Sequence, residues 1–163
     1  MKYLSEFVYG GIDGIITTYS IIAGSSGGEL VKQVILILGI SNVISDGYSM
    51  GISRYISSQT EIKQGLLREK SSLLSGFVTF LSFVLIGMLP VLPFLIYDGA
   101  QAQRISFYIA CAVFFLIGVV KGYFLEDRAI RSGIQTLLIG LTAAGLSYGI
   151  GKYVSRITAN KPK

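Results

Sequence analysis

The sequence predicts an all-α, polytopic membrane protein with five transmembrane helices, and three observations carry that reading. Of its 163 residues, 52% are hydrophobic and only 14% charged, with a mean hydropathy of +0.64, whereas a soluble domain carries about a quarter charged residues. The apolar residues fall into five runs with few charges, close to the ~20 residues that a helix needs to cross ~30 Å of hydrocarbon. Lys and Arg lie between or after those runs rather than on one element, so the net charge of +5 reads as topology signal and no nucleic-acid partner is expected.

The first run, residues 7–23, holds Asp13 as its one charge and ends in "GSSGG", a predicted flexible turn. Lys2 is too little for the basic start of a secretory signal, and no small-residue cleavage site closes the run, so it is expected to be a retained span. The second, residues 34–57, contains Asp46 and, near its end, Arg54. The third, residues 73–97, is charge-free, but Pro90 and Pro93 remove backbone donors and should kink or unwind its later part. The fourth, residues 105–120, stops at Lys121, which can snorkel to the interface. The fifth, residues 132–151, precedes a basic tail, "KYVSRITANKPK", that is expected to fray. The chain thus reads as a single transmembrane domain, residues 1–163. Lys2, the cluster Arg54, Lys63, Arg68 and Lys70, and the cluster Lys121, Arg128 and Arg131 would share one side if the N-terminus is cytoplasmic. That favours N-in and C-out, in a plasma membrane or a vacuole-like membrane.

The chemistry available is narrow. With no histidine and a lone Cys111, ion handling must use carboxylates, amides, hydroxyls, carbonyls or thioethers. An ionised carboxylate is expensive in hydrocarbon, so Asp13 and Asp46 are functional candidates. In "GISNVISDGYSMG", Asn42, Asp46 and Met50 are four residues apart and stack on one helix face, with Ser49 and Ser53 close by. Glu6, Gly10, Asp13 and Thr17 share a face of the first helix by the same count. If the two faces meet, they form a polar seam. Carboxylate with thioether suits a borderline transition metal such as Fe(II) or Mn(II) better than Mg(II) or Ca(II). Binding such an ion expels protons from the carboxylates, and protonation expels the ion, which is the minimum needed for exchange. Glycines among the spans are expected to bring helices close, and those beside Asp13 and Asp46 could also leave room for an ion.

Two other readings come from different classes. A non-transporting membrane scaffold would use the same seam only to hold a dimer. A lipid phosphotransferase would need several clustered aspartates and an arginine after the first Asp-Gly, and "DGIITTYS" and "SDGYSMGIS" supply one carboxylate each. No enzyme is therefore expected.

"GGIDGIITTYSIIAG" resembles the first-helix motif of the vacuolar iron transporter family, including its nodulin-21-like branch. "ISNVISDGYSMGISRYISSQTE" resembles the second-helix motif, an "ANLVADAISMGxGEYLS"-like run, and the likeness continues through the proline-containing third span and the fifth. The resemblance implies a homodimer that moves Fe2+, and often Mn2+, out of the cytosol in exchange for protons, with the path along the dimer interface and no permanently bound cofactor. It implies Asp13 as the first-helix carboxylate, Met50 as the second-helix thioether and Glu6 near the cytosolic entrance; taken with the residue pattern, Asp13 and Asp46 are expected to be exchangeable metal and proton sites, Met50 the selectivity ligand, Asn42 and Thr17 auxiliary oxygen donors, and Ser49 part of the path. Asn42 stands where plant members carry a glutamate, while Asp46, one turn later, follows the nodulin-like pattern. Members with a cytosolic metal-binding domain insert a long glutamate-rich segment between spans two and three. Here only "SQTEIKQGLLREKSS" is present, and its Glu61 and Glu69 read as solvated charges on a short amphipathic stretch.

Overall fold

The structure, a computed structural model, describes residues 3–66, 71–124 and 128–159. Every described element is helical: α1 (Leu4–Gly27), α2 (Lys32–Lys63), α3 (Ser72–Met88), the single turn α4 (Pro93–Ile96), α5 (Gly99–Phe124) and α6 (Ala129–Ala159). Among the described residues, α2, α5 and α6 are long and apolar enough to cross a membrane. α3, at 17 residues, is an apolar helix below that length, and α1, at 24, is diluted by Glu6, Asp13 and many Gly, Ser and Thr. Length and composition alone therefore qualify three of the five expected spans.

The helix ends follow from local chemistry. The "GSSGG" segment is not a flexible turn: α1 continues through Gly27, and the reversal falls on Glu29, a non-glycine residue at φ 56. The amides of Leu30 and Glu29 donate to the Ser25 and Ser26 carbonyls, closing the helix end. α2 outruns its expected limit and stops where Gly65, at φ 76, takes the left-handed position and the Leu66 amide donates to the Glu61 carbonyl. Pro90 and Pro93 act as expected: α3 ends at Met88, and α4 restarts with Pro93 at its first position, where a missing amide costs nothing. The Pro90 carbonyl freed by this break accepts a 2.7 Å hydrogen bond from the Ser106 hydroxyl of α5. The basic tail is helical through Ala159 rather than frayed there, and its last four residues, 160–163, lie outside the described residues.

Glycine contacts fix the directions. Gly10 and Gly14 of α1 meet Thr79 and Phe83 of α3, so these two helices run parallel, while Gly47 and Gly51 of α2 meet Phe83 and Phe80 from the opposite direction. Gly118 and Gly140 set α5 antiparallel to α6, through Thr136 and Phe114. α1, α3 and α6 thus point one way and α2 and α5 the other, with α1 in contact with α2, α3, α5 and α6. Small residues allow this close approach, which in lipid substitutes for a hydrophobic drive between helices.

The two ends of the bundle differ in character. The apolar core (Ile15, Tyr19, Ile22, Ile35, Val91, Phe94, Ala110 and Phe114 among others) fills the half where α1 ends and α2 begins. The half around the start of α1 buries Glu6, Ser58, Ser75, Thr79, Ser82, Ser132 and Thr136. The outside carries large apolar side chains on every long helix, such as Ile37, Tyr48, Phe77, Leu85, Leu116, Leu138 and Leu146. An apolar coat this extensive belongs against lipid or another protein.

Candidate metal path

On α2 the helical repeat sets Asn42, Asp46 and Met50 in one half-buried row, as the spacing predicts. On α1, Glu6 is buried while Asp13 and Thr17 are half-buried. The two faces meet, although α1 and α2 each pack more extensively on α3 than on each other. Asp13 and Asp46 thus stand half-buried on two helices that are in contact.

The repeated Asp-Gly pair has a packing cause. A Cβ on Gly14 would come within 2.5 Å of the Phe83 carbonyl, and one on Gly47 within 3.2 Å of the Phe83 ring. Each glycine lets its helix lie directly on Phe83 of α3, which places the preceding aspartate beside the α1–α2 junction. The glycines next to the acids are therefore filled by α3 and do not leave room for an ion, contrary to that part of the sequence reading. In α6 the packing role holds at Gly140, against Phe114, and at Gly151, against the Gly24 backbone, whereas Gly145 and Gly149 meet nothing.

Met50 and Glu6 share a cavity of about 470 Å³ at the polar end of the bundle, lined also by Tyr9, Ser53, Arg54 and Ser57. Asp13, Asp46 and Asn42 are not part of that lining and lie deeper along their helices. The Thr17 hydroxyl donates to the Asp13 carbonyl at 2.8 Å, so its proton is committed and only oxygen lone pairs remain for an ion. The Asn42 Nδ2 is buried without a hydrogen-bond partner. Ser49 is exposed, one of an i, i+4 series of exposed serines (Ser41, Ser45, Ser49, Ser53 and Ser57) that winds along the middle of α2. Among the described residues, no group of three or more Asp, Glu, Cys or His is placed to hold a metal within one chain.

Two charges behave differently from their sequence reading. Glu6 is not an open entrance: its side chain is 0% exposed, and its Oε1 accepts from Arg54 Nη2 at 2.9 Å and Nε at 3.3 Å. Glu61 is not simply solvated, since its Oε1 accepts from Arg54 Nη1 at 2.9 Å and from the Ser57 hydroxyl at 3.1 Å. Glu69 lies outside the described residues. Arg54 is the site residue that the sequence reading missed. It continues the row of Asn42, Asp46 and Met50 by one more step of four, and it falls on the glutamate of the "GEYLS" run, so both signals were present.

The model of the VIT family matches residues 4–65 and 61–152. A vacuolar iron transporter of Toxoplasma gondii is 23% identical over 95% of this chain and 75% of its own length, and vacuolar iron transporter 1 of Eucalyptus grandis is 22% identical over 94% and 87%. An uncharacterised protein of Methanocaldococcus jannaschii is 25% identical over 89% of this chain and 86% of its own length. The Toxoplasma alignment runs over 228 positions, more than the 163 residues of this chain, whereas the archaeal one runs over 166. The family match divides at residues 61–65, around the end of α2, where the sequence has only a short connection.

Proposed function

This chain belongs to the VIT family, in the form without the cytosolic metal-binding domain, and from that premise we propose that it is an integral membrane transporter moving a divalent transition metal, Fe2+ or Mn2+, out of the cytosol in exchange for protons. The observation that carries this reading is the placement of half-buried carboxylates, Asp13 and Asp46, on two helices in contact, with Met50 one turn from Asp46 lining a polar mouth. A carboxylate pair offers hard oxygen ligands and proton-binding sites in one place, and the thioether favours a softer ion over Mg2+. As the ion binds from the cytosol, the acids release their protons to that side; once the site faces the opposite side, protons bind the acids there and the ion leaves.

In this reading α1 and α3–α4 cross the bilayer together with α2, α5 and α6. α1's 24 residues would rise about 36 Å, enough for the hydrocarbon, and α1 touches all three candidate spans. The N-terminus is cytoplasmic, so the polar mouth opens to the cytosol. The functional unit is a homodimer joined along α1 and α2. The exposed, small and polar side chains of Ser41, Ser45 and Ser49 support this, because small residues let a second helix approach closely in lipid. A second copy also doubles the carboxylates, which the described residues of one chain do not gather in threes.

The test is proton flux in proteoliposomes with Fe2+, Mn2+, Zn2+ and Mg2+ added in turn. Proton release that follows Fe2+ or Mn2+ but not Mg2+ is the expected result. No metal-driven flux, with dimers lost in Asp13→Asn and Asp46→Asn, would replace transport by the scaffold reading.

A further inference from the structure

Arg54 stands in an unexpected place. The α2 row delivers an amide, a carboxylate and a thioether toward the mouth, and the next member of the row is a fixed cation. Its guanidinium holds buried Glu6 on the inner side and Glu61, 30% exposed, on the outer side, while Arg54 itself is 22% exposed. The Ser5 hydroxyl donates to the other Glu6 oxygen at 2.8 Å, and Met50 lines the same cavity. A buried ion pair is weak evidence for a stability role, since an apolar pair of similar volume often serves as well. Here the pair lies against a cavity that holds a thioether and two serine side chains, Ser53 and Ser57, a donor set that a metal would share with Glu6.

We propose that Arg54 is a tethered cation that latches the mouth shut: it occupies the place that an entering metal takes at Glu6, and a metal reaches Glu6 only by displacing it. This rests on the reading of the α1–α2 seam as a metal path. Glu61 makes the displacement feasible, because Arg54 can keep its outer bond to Glu61 while releasing Glu6, so the guanidinium never leaves a counter-charge. The latch also acts as a filter. A divalent ion with soft-ligand affinity can outcompete a guanidinium that makes two hydrogen bonds to one oxygen, whereas Na+ or K+ cannot match it.

The latch is tested by equilibrium Mn2+ binding to the purified full chain, read from the loss of the free-ion paramagnetic resonance signal, for wild type, Arg54→Gln, Arg54→Lys and the double variant Glu6→Gln/Arg54→Gln. Removing a competitor for the same carboxylate is expected to tighten Mn2+ binding about tenfold in Arg54→Gln, and the gain should vanish in the double variant. Arg54→Lys keeps the charge but loses the planar fork, so it should show a smaller gain in the same direction and serves if Arg54→Gln fails to fold. Folded variants with unchanged or weaker Mn2+ affinity, or a gain that persists without Glu6, would overturn the latch. Transport is scored separately in proteoliposomes. A wild type that moves no metal overturns the transporter reading while the Mn2+ result still decides the latch.

Discussion

At the scale of single residues, the proposed exchange would ask of Asp13 and Asp46 something that no neutral residue can give, because exchange needs a ligand that also binds protons. Asp13→Asn and Asp46→Asn keep size and hydrogen bonding but remove that property. Each is expected to cut Mn2+-driven proton flux in liposomes about 10–100-fold, with thermal stability in detergent little changed. Met50→Leu conserves volume and should cost less than ~1.5 kcal/mol of stability, while lowering the ratio of Mn2+ to Mg2+ transport measured in the same vesicles. These residues were legible because i, i+4 spacing on an apolar helix is a geometric statement that folding could only confirm or displace, and it kept the row intact. The engagement of Glu6 by Arg54 was not legible. It depends on how α1 and α2 are set against each other, which the spacing along either helix alone does not give.

At the scale of elements, the glycines separate into those that a neighbour fills and those that face open space. Gly14→Ala would drive a methyl into the Phe83 backbone at 2.5 Å, and is expected to cost about 1–3 kcal/mol, seen as a lower unfolding midpoint in detergent. Gly145→Ala, with nothing within 4 Å of the added carbon, should leave the midpoint unchanged or raise it. The Pro90 break depends on one hydroxyl: Ser106→Ala removes the donor to a buried carbonyl, an expected loss of about 1–3 kcal/mol by the same measurement. Sequence predicted the break, since proline chemistry is local. It misplaced both the turn after α1 and the end of α6, because those boundaries are held by contacts such as Gly27 with Tyr148 and Gly24 with Gly151, between residues more than a hundred positions apart.

At the scale of the whole molecule, the half of the bundle around the start of α1 gathers the buried ion pair and most of the buried hydroxyls, the other half the apolar core, and under the proposed reading a second copy would complete the polar half. With Cys111 replaced by serine, a cysteine at Ser45, on the exposed α2 row, is expected to form a disulfide-linked dimer in oxidised membranes. A cysteine at exposed Leu116 on α5 should stay monomeric. The overall helical membrane class was readable from composition. The count of crossings was less so, because α1 gives up hydropathy for the glycines and acids that its position among four other helices requires.

Phe83 gives this arrangement a use beyond packing. Its backbone seats Gly14 and its ring seats Gly47, so one residue on a third helix, itself no ligand, sets how α1 and α2 stand against α3. Under the proposed transport reading, the spacing of the two acids would then be adjustable from a position the ion never touches. A lineage could in that way retune its metal by changing one aromatic ring while leaving every proposed ligand unchanged.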